Sequence, residues 1–172
     1  MQQPLMEGMM SCGDWAGMVL DQNPTLQQFI LIGPAEDDIR QIRTKHPDKL
    51  ITFSAEEIRK GEGVERLKRI YGGVPLYISI DKDVLSEQYS ETNWNQGELT
   101  LGMLEHMLQY FLERASVYGI DICWECSTAI ALPEYFQAEG VNGKTNVELF
   151  RFLRSYCCSC CLLYTSDAAD EL

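Results

Sequence analysis

Apolar positions along this chain fall into short solid runs separated by stretches in which apolar residues recur every three to four positions. Phe29-Ile30-Leu31-Ile32-Gly33, Leu50-Ile51-Thr52-Phe53, Pro75 to Ile80 and Gly119-Ile120-Asp121-Ile122-Cys123-Trp124 are rich in β-branched and aromatic residues and have the length of buried strands. Ser11-Cys12-Gly13-Asp14 offers N-cap chemistry for a short helix over Trp15 to Leu20, ending before Asn23-Pro24. Pro34 followed by Glu36, Asp37 and Asp38 predicts a helix with Ile39 and Ile42 turned inward, Lys45 and His46 near its end, and Pro47 as its stop. Ser54-Ala55-Glu56-Glu57 is a capping box opening a helix that is interrupted at Gly61 and Gly63 and resumes through Leu67 and Ile70. Thr100 caps the clearest helix, with Leu101, Leu104, Leu108, Phe111, Leu112 and Ala115 on one face. A last helix is expected over Thr145 to Arg154, with Thr145 and Glu148 as its capping box and Val147, Phe150 and Leu153 facing inward. Strands alternating with helices in this order predict an α/β fold with one mostly parallel sheet and right-handed crossovers.

Composition then narrows this picture. The length, 172 residues, and an apolar content of 45% suit one domain with a real core. A net charge of −12 argues against nucleic acid or an anionic membrane surface as partner. No stretch has the uninterrupted apolar length of a membrane span, and the start lacks the order of a signal peptide, so a cytoplasmic home is expected. Of the seven cysteines, Cys123 and Cys126 form a C-x-x-C, but the first continues a strand rather than opening a helix. Buried, reduced thiols are the expectation. Residues 1–154 form the expected domain. Residues 155–172, with Cys157, Cys158, Cys160 and Cys161 and then Leu162 to Leu172, have no helical or strand period. They resemble a recurring artefact of translated sequence assemblies and are expected to be non-native.

The chemistry concentrates where the third strand ends, in Ser79-Ile80-Asp81-Lys82-Asp83-Val84-Leu85. The carboxyl ends of strands in open parallel sheets are where ligands bind. Two carboxylates at i and i+2 repel each other unless a positive charge sits between them, and a divalent metal is the usual answer. The plainer alternative is an acidic loop that caps the next helix. The strand order brings the end of the Cys123 strand, and with it Glu125, to the same sheet edge, so Asp81, Asp83 and Glu125 are expected to face one crevice.

This stretch resembles the S-x-D-x-D signature of the arginase and agmatinase (ureohydrolase) family. Gly97-Glu98-Leu99-Thr100, opening a long helix, is similar to that family's Gly-Gly-Leu-Thr turn, and the strand from Ile120 to Trp124 ending at Glu125 is similar to its late strand with a functional glutamate. The resemblance covers most of Ser11 to Arg154. It implies a three-layer α/β/α fold, arginase/deacetylase-like, and two Mn2+ ions that activate a hydroxide for attack on a guanidinium-type carbon. By position, Asp81 would bridge both metals, Asp83 would chelate one, and Glu125 would hold a cationic small-molecule substrate.

The chain departs from the pattern in what it lacks. The family's first ligand histidine and its Asp-x-His-x-Asp motif are absent. The two histidines here, His46 and His106, are not at strand tips and are expected to be structural or exposed. Thr92-Asn93-Trp94-Asn95-Gln96 replaces a Gly-Thr-Gly-Thr-Pro loop, and Ser11-Cys12-Gly13-Asp14 replaces a Ser-Gly-Asn turn. The expectation is therefore the carboxyl-terminal portion of a C–N hydrolase, incomplete in fold and metal site and inactive alone, capable of forming homo-oligomers. The competing expectations are a non-catalytic regulatory module with Asp81 as phosphoacceptor and a structural subunit of the same fold. The phosphoacceptor reading needs an acidic pair, for which Glu36-Asp37-Asp38 could stand, and a lysine at a late strand end, which the chain does not supply.

Overall fold

The computed structural model of the chain describes residues 15–70, 72–92, 96–123, 131–156 and 162–164. They divide into two compact units, Met1–Tyr71 and Gly72–Leu172. In the first, helix α1 (Trp15–Gln22) precedes strand β1 (Phe29–Ile32), helix α2 (Glu36–Gln41) and strand β2 (Leu50–Phe53). β1 and β2 pair in parallel, Phe29 opposite Leu50 and Ile32 opposite Phe53, as a helical crossover requires. Ala16 and Leu20, one turn apart on α1, are buried, as are Ile51 and Phe53 of β2. The Asp21 carboxylate ties the end of α1 to the segment before β2. It accepts from the Thr44 hydroxyl at 2.6 Å and the Lys45 N–H at 2.8 Å, and the Thr44 bond in particular holds its pKa below the usual carboxylate range.

β2 runs directly into α3 (Ala55–Lys60) through the capping box that the sequence predicts. Ser54 Oγ accepts from the Glu57 N–H at 3.2 Å, and Glu57 Oε2 accepts from the Ser54 N–H at 3.0 Å. Gly61, at φ 69°, closes α3 in the left-handed conformation that glycine adopts without steric cost, and α4 follows over Val64–Leu67. The helix after Pro34 is shorter than the sequence suggests. It ends at Gln41, Ile39 and Ile42 are only half-buried, and Pro47 opens a separate 3-10 turn instead of stopping α2.

In the second unit β3 (Leu76–Asp81), β4 (Val117–Cys123) and β5 (Leu162–Tyr164) form a parallel sheet in that order. β4 starts at Val117, two residues before the apolar run that marked it. β5 lies in the tail set apart on composition, yet pairs with Ile120–Ile122. Ile80, Ile120 and Ile122 are buried, with Leu101, Leu104, Leu108 and Phe111 of α5 (Leu101–Leu112) and Leu149 and Leu153 of α6 (Leu132–Tyr156). Thr100 caps α5, its hydroxyl accepting from the Met103 N–H at 3.2 Å.

Helix α6 is the largest correction. It spans Leu132–Tyr156, 25 residues, so Thr145 is interior to it and caps nothing. Its buried side chains are Ala138, Asn142, Thr145, Leu149 and Leu153, whereas Val147 and Phe150 are exposed. Gly140, Asn142 and Gly143 lower local helix propensity and conceal the helix from a sequence reading, but the apolar and polar contacts of the buried stripe outweigh that cost. A second correction concerns the sheet. The described strands form two parallel sheets, β1-β2 and β3-β4-β5, where one was expected. Alternation of strands and helices prescribes parallel direction, but it does not prescribe which strands are neighbours. The chain is thus an α/β protein built on small parallel sheets. Among the described residues, no helix is long and apolar enough to cross a membrane.

Candidate functional site at the end of strand β3

Strand β3 alternates. Ile80 points into the core, whereas Tyr77, Ser79 and Asp81 occupy the other face. At its carboxyl end Asp81 Oδ1 accepts from the Asp83 N–H at 2.9 Å and caps a 3-10 turn over Lys82–Val84. The plainer of the two readings of this aspartate, a cap for the following helical turn, therefore describes one of its bonds. Asp83 differs. It is half-buried, and its Oδ1 is enclosed with no hydrogen-bond partner among the described residues. Burial pushes the Asp83 pKa up, while the Thr92 hydroxyl and the Lys82 charge pull it the other way. Lys82 between the two acids is wholly buried and donates to Asn146 Oδ1 at 3.1 Å.

The turn before α5 packs against this strand end through backbone alone. Gly97 N–H donates to Asp83 O at 2.6 Å, Leu99 N–H to Val84 O at 3.2 Å, and Ser86 N–H to Leu99 O at 2.9 Å. A Cβ on Gly97 would overlap the Val84 carbonyl and lie 2.6 Å from Asp83 O, so only glycine fits here. The stretches Ser79–Leu85 and Gly97–Thr100 thus touch directly. Gln96 braces the same corner, its side chain accepting from Thr92 and donating to Leu85 O at 2.8 Å.

Helix α6 supplies the outer support. Asn142 Oδ1 accepts from Ser90 Oγ at 3.2 Å and the Glu91 N–H at 2.9 Å, its Nδ2 donates to Glu91 O at 2.8 Å, and Thr145 Oγ1 donates to Tyr89 O. These bonds fix the segment that carries Thr92 to Asp83. Sequence reading missed them because Asn142 and Thr145 look like loop and cap residues. The signal available was their i, i+3 spacing in phase with Ala138, Leu149 and Leu153.

A second polar cluster lies on the open face of the β3–β4 pair. Asp121, opposite Ser79 in register, accepts from Tyr77 Oη at 2.6 Å, Ser79 Oγ at 2.7 Å and Cys123 Sγ at 3.0 Å. The bond to Asp121 pushes the Tyr77 pKa up to about 12, and burial first, then Asp121, pushes Cys123 up to about 12. Both effects favour the neutral thiol near neutral pH, and Cys123 is half-buried where full burial was expected. Period-2 alternation on two adjacent strands could have suggested the cluster, but only the register brings its members together.

Asp81 stands opposite Cys123, so the ends of β3 and β4 do share an edge. Glu125, two residues further on, lies outside the described residues, as do Cys126 and residues 11–14 and 93–95. Among the described residues, no three His, Cys, Asp or Glu side chains converge as a metal site. His106 is exposed on α5, and His46, half-buried, belongs to the first unit. Asp81 and Asp83 offer hard oxygen donors of the kind Mn2+ prefers, and the orphaned Asp83 oxygen fits a cation, but two carboxylates are a fraction of an octahedral shell. Glu36 and Asp37, the other acidic candidates, are exposed on α2 and paired with Arg40.

No family model matches the chain, and no solved structure matches it. Over 93 residues it is 30% identical to an uncharacterized protein of Thermotoga maritima, an alignment that covers 50% of this chain and 38% of that relative. The chain therefore spans well under half the length of the relative it matches.

Proposed function

We propose that this chain is the carboxyl-terminal portion of a manganese-dependent hydrolase of the ureohydrolase type, which cleaves a C–N bond in a cationic guanidino or amidino substrate. Asp81 and Asp83 are its share of the metal ligands, and Glu125 holds the cationic group of the substrate. The three-layer arrangement and a cytoplasmic home belong to the same reading. The observation that carries it is the half-buried Asp83 at the strand end, with one enclosed oxygen that accepts no hydrogen bond among the described residues. A carboxylate in that position favours a cation or a proton. Lys82 supplies some of the compensating charge. Manganese, when bound, supplies Lewis-acid activation of water at neutral pH. The chain's own residues hold the geometry. The Asp81 cap fixes the turn, the Gly97 turn sets the backbone of Asp83, and Asn142 and Thr145 hold the segment leading to Thr92.

With only two carboxylates described at the site, this chain is expected to bind Mn2+ weakly and to release no urea from arginine or agmatine. Titration with MnCl2, followed by calorimetry and by paramagnetic broadening, tests the assignment. Binding at roughly millimolar dissociation constant, abolished by Asp83→Asn and by Asp81→Asn, is the expected result. Equal broadening in wild type and both variants would remove these aspartates from any metal site. Reading the coding sequence upstream of Met1 tests the enzyme class, since an in-frame Asp-x-His-x-Asp motif is required there.

A further inference from the structure

A lysine taken wholly out of water is costly unless its charge is compensated. Lys82 is such a residue, buried at the first position of the 3-10 turn between Asp81 and Asp83. Its Nζ donates to Asn146 Oδ1 at 3.1 Å, which anchors the side chain to α6 one turn beyond Asn142. An amide oxygen is a neutral partner and offsets only part of the solvation lost. A neighbouring carboxylate can supply more. Asp83 follows directly in sequence and is half-buried, with one enclosed oxygen that accepts no hydrogen bond among the described residues. The Lys82 charge is felt there, pulling the Asp83 pKa down against the larger effect of burial.

We infer that Lys82 is a built-in counter-cation for Asp83, which keeps the strand end folded with no metal bound and lowers its affinity for a divalent cation. Two effects of opposite sign then come from one substitution. Removing the ammonium leaves Asp83 enclosed with less compensation, so the metal-free second unit loses stability. The same substitution removes a charge that repels an incoming cation, so a divalent ion binds more tightly. A lysine that only fills space and bonds Asn146 gives the first effect without the second. The affinity effect rests on the assignment of Asp81 and Asp83 to Mn2+ proposed above, whereas the coupling between Lys82 and Asp83 stands without it.

Lys82→Met removes the charge and keeps most of the volume, and Lys82→Gln also keeps a donor for Asn146. Each is made in the full chain, alone and with Asp83→Asn. Amide exchange in the second unit is read by segment in EDTA, and MnCl2 is titrated by calorimetry. In EDTA, Asp83→Asn is expected to slow exchange at the 3-10 turn by roughly tenfold more in a Lys82 variant than in wild type. Each Lys82 variant is expected to bind Mn2+ about tenfold more tightly than wild type, a gain that Asp83→Asn abolishes. An equal effect of Asp83→Asn in both backgrounds overturns the proposal, because another group would then balance Lys82. Weaker Mn2+ binding in the Lys82 variants overturns it as well, because the lysine would then position the carboxylates rather than offset them. Coupling in EDTA with no Mn2+ bound by any variant supports the counter-cation and overturns the metal assignment, so the two fail separately. If Lys82→Met does not fold, Lys82→Gln decides; failure of both that Asp83→Asn does not rescue overturns the proposal, since the lysine would then serve packing.

Discussion

Replacing Asn142 with alanine tests whether buried polar contacts hold the segment that leads to the candidate site. Asn142 is 1% exposed, and its amide makes three hydrogen bonds, accepting from Ser90 Oγ and the Glu91 N–H and donating to Glu91 O. Ser90 is itself wholly buried, so its hydroxyl loses a partner that water cannot easily replace. At about 1 kcal/mol for each bond, with an added desolvation cost for groups left unpaired, the loss is about 3 kcal/mol. That corresponds to roughly a hundredfold faster exchange of the Glu91 amide if local opening governs it. Because the chain has two units, a single melting temperature would mix two transitions, so hydrogen exchange read by segment is the better assay. Gln137→Ala serves as control. Its amide reaches Glu91 Oε2 at 3.4 Å on the exposed side, and its loss should cost less than about 0.5 kcal/mol. If exchange at Glu91 in Asn142→Ala matched the control, the network would not hold this segment and the argument from burial would fail.

Gly97→Ala is expected to destabilise the second unit by about 2 kcal/mol or more, since the new methyl group must displace the Val84 carbonyl; hydrogen exchange in the second unit unchanged from wild type would refute the close approach. Asp83 gives a prediction in pH. Its folded pKa lies above its unfolded value, so the folded state holds the extra proton between the two, and its contribution to stability falls as pH rises through that window. Asp83→Asn should therefore be more stable than wild type at pH 7, with the advantage shrinking as pH falls through the window. Urea titrations from pH 4 to 7 check this, and a variant less stable at neutral pH contradicts it.

Much of the chain was legible locally. The capping box at Ser54–Glu57 and the Thr100 cap follow from interactions that close within three or four residues, and local sequence specifies those directly. The acidic pair at Asp81 and Asp83 was also visible at the end of a strand-length apolar run, although the pattern left both a cap and a cation site open. Helix α6 was misread for the opposite reason. Gly140, Asn142 and Gly143 are locally unfavourable to helix, and what holds them there is contact with residues about fifty positions earlier. Partition of the strands between two sheets is likewise a matter of which edges meet, to which periodicity is blind.

The sequence by itself determined the α/β class, most of the element positions, the parallel direction of the strands and the placing of two carboxylates at a strand end. Tertiary structure decided the rest. It made Asp81 a cap and left an enclosed oxygen of Asp83 with no hydrogen-bond partner among the described residues, and it set Gly97 against the Asp83 backbone. It also gathered Tyr77, Ser79 and Cys123 around Asp121 and gave α6 one buried face and one open one. The physical reason is range. Backbone preferences and caps act over a single turn of chain, whereas burial, register and desolvation depend on which distant segments come into contact.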